Sequence, residues 1–232
     1  MAKTKTIENL FNYLAFYSDL LPVFFFFLFY SKSKSQKGLW IILAYCIYDF
    51  LTNLGLLYLS QKHINRFLYS SFTFIEFSLF AWVLFTIIKN QRFKKVLMAL
   101  SVAFIVFLFA YNMLTKVNAF DSIPIGIETI LILVFSFYYL FEQINDTSTL
   151  FIYSKFSFWV ILGILLYLAG SFFIYIFSNQ LLSEHRDEEV AKYWMITNVF
   201  SILKNIFFVI AIMVNTNRPP KKNIGFALYN LN

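Results

Sequence analysis

Apolar stretches of about twenty residues, separated by short polar links, recur along this chain. They run over residues 8–30, 39–60, 67–89, 96–115, 122–143, 156–178 and 193–215. Each is long enough to carry a helix across a hydrocarbon layer about 30 Å thick. The links read "SKSKSQK", "QKHINR", "NQRFKK", "TKVNAFD", "NDTSTLFIYSK" and "NQLLSEHRDEEVAK", and none could hold a soluble domain. The pattern predicts an all-α fold, a polytopic membrane protein with a seven-transmembrane-helix bundle over residues 1–216. A short tail, 217–232, follows, and its Pro219 and Pro220 cannot continue a helix. The first apolar run is too long for a secretory signal and lacks a small-x-small cleavage site, so it is expected to remain as span one. No repeat is visible at the level of residues, which gives no support to an inverted-repeat transporter.

Composition agrees with the pattern. Of 232 residues, 60% are hydrophobic and 13% are charged, against roughly half and about a quarter in soluble domains. The single cysteine, Cys46, permits no intrachain disulfide. Basic residues set the expected orientation. Links one, three and five plus the tail carry eleven Lys or Arg, among them Lys32, Lys89, Arg92, Lys94, Lys95 and Lys155; the other side carries seven. The tail should therefore be cytoplasmic and the N-terminus outside, in a bacterial cytoplasmic membrane. The net charge of +7 calls for no nucleic acid, because basic loops facing anionic lipid account for it.

Five ionisable residues interrupt the apolar runs at comparable depth: Asp19, Asp49, Glu76, Glu128 and Lys204, in spans one, two, three, five and seven. A central Asp or Lys costs about 2.5–3.5 kcal/mol, against roughly −0.3 to −0.6 for each strongly apolar residue. Each span absorbs one such residue, yet the five together cost on the order of ten kcal/mol, which points to a use. Helical spacing puts Asn198, Ser201, Lys204 and Asn205 on one face of span seven. Cys46, Asp49 and Asn53 share a face of span two, Thr73 lies one turn before Glu76, and Tyr167, Ser171 and Tyr175 step along span six. These stripes should meet inside the bundle, with Lys204 held by one or more of the four acids. Four acids against one lysine leave three charges uncompensated. Carboxylates crowded in that way do not all stay ionised unless a cation is bound, so a proton- or ion-responsive site is expected. A network that only ties helices together is the plainer alternative.

Other signals carry less. The acidic run "SEHRDEEVAKYW" reads as a solvated loop that favours the following helix dipole. His63 and His185 have no ligand-spaced partner, and no metal site is expected. Asn145-Asp146-Thr147 matches a glycosylation acceptor but falls on the side expected to be cytoplasmic. Pro22 and Pro124 are expected to mark kinks.

In layout, with seven spans, an outside N-terminus, a cytoplasmic C-terminus and an expected polar pocket, the chain resembles the seven-helix input modules that bacteria attach to, or encode beside, signalling kinases; it departs from them in that no output domain is expected here. That resemblance implies a sensory or ligand-binding protein that takes a small molecule or ion and signals to a cytoplasmic partner through its basic loops. The alternative reading is a proton- or cation-coupled transporter or channel, for which midplane carboxylates beside a lysine are suited. The layout also resembles a rhodopsin, with Lys204 in the last helix as a retinal attachment point and Glu76 as counterion. There the match fails in detail: Phe200 stands where microbial rhodopsins carry an aspartate, and span six lacks their proline. No nucleophile–base pair or histidine cluster marks an enzyme.

Overall fold

The computed structural model describes residues 2–58, 62–115, 122–146, 151–183 and 187–216. The expected tail, 217–232, and His185 lie outside them, and the side chains of His63 and Tyr175 are likewise not described. The described chain is helical throughout apart from turns. Its elements are α1 (Ala2–Ser18), α2 (Leu20–Leu28), α3 (Tyr30–Ser33), α4 (Lys37–Tyr58), α5 (Lys62–Ile87), α6 (Gln91–Leu114), α7 (Ser122–Ile144), α8 (Phe156–Ser183) and α9 (Asp187–Thr216). A 3-10 turn at Ile152–Ser154 leads into α8. Among the described residues, seven helical stretches are long and apolar enough to cross a membrane, which supports a polytopic membrane protein. Large apolar side chains such as Phe24, Trp82, Val106, Phe109, Phe137 and Phe173 point outward, an exposure suited to lipid rather than water.

Helix ends depart from the apolar runs in an instructive way. Helix α6 starts five residues before the run at 96, because Asn90 caps it by accepting from the backbone N–H of Arg92 at 2.9 Å. Helix α9 starts at Asp187, inside the acidic run read as a loop, so Asp187, Glu188 and Glu189 belong to its first turn, while Glu184 lies outside the described residues. Span one is not a single helix. Helices α1 and α2 meet at Asp19, which keeps helical dihedrals (φ −62°, ψ −26°). Pro22, lacking an N–H, cannot donate to the Ser18 carbonyl one turn back, and the hydrogen-bond ladder stops there. Pro124, by contrast, stands in the first turn of α7, where its missing donor matters little, and α7 runs on uninterrupted to Ile144.

Six spans close a ring. Packing runs from α9 to α1 and α2, from α2 to α4, then α5, α7 and α8, and back to α9. Helix α6 stands outside, against α5 and α7. It has the highest mean hydropathy of the seven, 2.2, and no acid, although α8, inside the ring at 2.1, likewise carries none. It buries only a stripe of Leu97, Phe104 and Leu108. The tightest pairing is α8 with α9, and glycine makes it possible. A Cβ on Gly163 would meet the Lys204 carbonyl at 3.2 Å and Phe207 Cβ at 3.0 Å; one on Gly170 would meet the Phe200 ring at 2.5 Å. Two glycines seven residues apart on one face thus let the helix bearing Lys204 lie directly against α8.

The two ends of the ring differ. Toward the end where α9 finishes, Phe80, Leu84, Val160, Ile164, Phe208 and Ala211 are fully buried and fill the interior. Polar ties lock that end from outside. The Glu142 carboxylate accepts from the backbone N–H of Lys89 and Asn90 at 2.8 and 2.7 Å. Lys89 and Lys155 both reach Asp146, at 2.6 and 3.6 Å. The opposite end, where α1 begins and α4 finishes, is hollow.

Candidate functional site: a polar cluster beneath an acid-floored cavity

Helix α9 contributes the centre. Lys204 sits on the face pressed to α8 and has no exposed surface. Its ammonium donates to Asp49 Oδ2 at 2.9 Å and to the Tyr45 hydroxyl at 2.6 Å. It also lies 4.3 Å from the centroid of the Tyr167 ring and 4.5 Å from that of Tyr45, close enough for cation–π attraction. The Tyr45 hydroxyl in turn donates to Glu76 Oε1 at 2.8 Å. Two acids therefore answer the lysine, Asp49 directly and Glu76 through one tyrosine.

Asp19 is reached by a second branch. Asn53, one turn beyond Asp49 on α4, donates to Asp49 Oδ1 at 3.2 Å and to Asp19 Oδ2 at 3.3 Å. Asn205 donates to Asp19 Oδ1 at 2.7 Å and to Ser18 Oγ at 2.8 Å. The interruption of span one thus carries a carboxylate that α4 and α9 both grip. Ser18 completes its own bonding by donating to the Ala15 carbonyl at 2.7 Å. From Glu76 to Asp19 the polar groups form one connected network across α5, α4, α9 and the α1–α2 junction.

Above this network lies a cavity of about 710 Å³. Asp49, Asn53, Glu76, Glu128, Asn198 and Ser201 line it; Asp19, Lys204 and Asn205 do not, and lie behind its floor. Its walls are aromatic, with Phe50, Tyr58, Tyr69, Phe72 and Trp194 among them. Phe16 and Phe50, with ring centroids 4.8 Å apart, join α1 to α4 beside it. Asn198 donates to Asn12 Oδ1 at 2.6 Å and ties α9 to α1 on another side. Glu128 stands apart from the network: it is 2% exposed, and its Oε1 has no hydrogen-bond partner.

Tyr45 and Ser18 are the members that reading the sequence missed. The available signal for Tyr45 was its position four residues before Asp49, hidden among 15 tyrosines. No group of three or more His, Cys, Asp or Glu among the described residues is placed to hold a metal ion. Retinal on Lys204 fits poorly. The Nζ is enclosed by Asp49, Tyr45 and Tyr167 and does not face the cavity, so a polyene would have to displace them. No known protein family, curated protein or solved structure matches this chain.

Proposed function

We propose that this protein is a membrane sensor that binds a small ligand in the acid-floored cavity. The observation that carries the reading is the one-ended shape: about 710 Å³ of space above the carboxylates and a filled interior beyond them. That volume falls within the range of about 300–1,000 Å³ used for small molecules. With the N-terminus outside, as the basic links favour, the cavity faces the exterior and the packed end faces the cytoplasm.

The network supplies a route for a response. A ligand that competes for Glu76 loosens the Tyr45 hydroxyl, and with it one of the two hydrogen bonds that hold Lys204. Helices α4, α5 and α9 then have different preferred packings with and without ligand, which is what a shift of populations requires. The basic α5–α6 link and the start of α6, with Lys89, Arg92, Lys94 and Lys95, are the surface offered to a cytoplasmic partner.

One observation favours a second reading, a proton- or cation-coupled transporter. The hydrogen-bonded path from Glu76 through Tyr45, Lys204, Asp49 and Asn53 ends on Asp19, at the interruption of span one. Proteoliposomes carrying an imposed proton gradient and a pH-sensitive dye separate the two. The sensor reading predicts a gradient no leakier than in empty vesicles. A collapse that Glu76→Gln abolishes would replace it with transport.

A further inference from the structure

Building on the ligand-binding reading, we propose that the cavity takes an amphipathic organic cation, an amine or quaternary ammonium on an aromatic or aliphatic body, with its nitrogen at Glu128. Three carboxylates face the cavity, and among the described residues lining it there is no Lys, Arg or His. Two of the three are already engaged, Asp49 by Lys204 and Asn53, and Glu76 by Tyr45. Glu128 is not. A carboxyl oxygen that is buried and unpartnered is an uncommon feature in a folded interior and calls for a donor from elsewhere. Thr197, also lining the cavity and 5% exposed, has an Oγ1 without a partner. It supplies a second polar point for the same ligand.

The other ligand classes fit less well. An anion would be set against three carboxylates with no cation to meet it. A bare metal ion would leave most of the space empty and find aromatic walls rather than an oxygen cage. A neutral apolar molecule would suit the walls and leave Glu128 unpaired. A cation on an apolar body satisfies both, since Tyr69, Trp194 and Phe72 line the cavity and supply aromatic surface, which suits an organic cation as well as its apolar body.

The test is calorimetric titration of the detergent-purified protein with three probes of matched size: 2-phenylethylamine, 2-phenylethanol and phenylacetate. We expect the amine to bind wild type at least about 10-fold more tightly than either of the others, the margin expected of a charge-assisted contact in a buried site. Glu128→Gln should remove that margin while leaving the affinity for the alcohol unchanged. Its melting temperature checks that the variant is folded, and the charge series on wild type needs no variant. If the alcohol or the acid binds as well as the amine, the ligand class is wrong and the cavity reading stands. If the amine binds but ignores Glu128→Gln, the assignment to Glu128 is wrong. If none of the three binds, the ligand-binding reading falls as well.

Discussion

Replacing Lys204 by Met removes the one cation from the interior network and nearly preserves side-chain volume. The ammonium has no exposed surface, and Asp49, 2.9 Å away, is almost as deeply buried. Breaking such a pair from one side costs about 3–5 kcal/mol, because the remaining carboxylate is left in a low-dielectric site without its partner. Asn53 still donates to Asp49 Oδ1, so the loss should fall toward the lower end, about 3 kcal/mol. Asp49→Asn removes the countercharge and leaves the buried ammonium with neutral acceptors and two rings only, and should cost a similar amount. The double variant leaves no unpaired charge at this pair. It should lie within about 1–2 kcal/mol of wild type, which makes the coupling energy large and favourable to the double variant. Reversible unfolding in mixed micelles of lipid and SDS, followed by helical circular dichroism, measures all four corners of the cycle. If the two single losses add, the contact between Lys204 and Asp49 does not hold the bundle and the reasoning fails.

Two further predictions use other parts of the packing. Gly170→Ala should destabilise the bundle by about 1–3 kcal/mol as an overpacked contact, since its Cβ would enter the Phe200 ring at 2.5 Å. Gly126→Ala, whose Cβ meets nothing nearer than 3.8 Å, should leave the same unfolding midpoint unchanged or slightly raised. Tyr45→Phe removes the hydroxyl that accepts from Lys204 and donates to Glu76, and should cost about 1–3 kcal/mol for the buried groups left unsatisfied. A midpoint equal to wild type would mean that neither group depends on the tyrosine.

Much of this architecture was legible from hydropathy, because a bilayer imposes a length on its helices. Where described, all seven apolar runs lie largely on helical segments, and they depart from them where something other than apolarity decides: a side-chain cap at Asn90, acids in the first turn of α9, and the interruption at Pro22. The contacts were not legible. Span order does not fix which helices touch, so Asp49 and Glu76 were equal candidates for Lys204. Tyr45 decides between direct and relayed contact, and nothing distinguishes it among the tyrosines until α4 faces α9. The separation of Glu128 from the network, and the cavity itself, depend on how the helices are set around the ring, which no local pattern encodes.

The most direct measurement is thiol access to the cavity from each side of the membrane. In a Cys46→Ala background, Ser201→Cys places a thiol on the cavity wall and Ala211→Cys one in the packed half. Membrane vesicles of both orientations are treated with impermeant methanethiosulfonates, one cationic and one anionic. The account predicts that Ser201→Cys reacts only from the side of the N-terminus, and faster with the cationic reagent by about 10-fold or more, since carboxylates in a low-dielectric cleft concentrate cations. Ala211→Cys should react from neither side. Reaction of Ser201→Cys from the tail side, or preference for the anionic reagent, would contradict a one-ended cavity floored by acids.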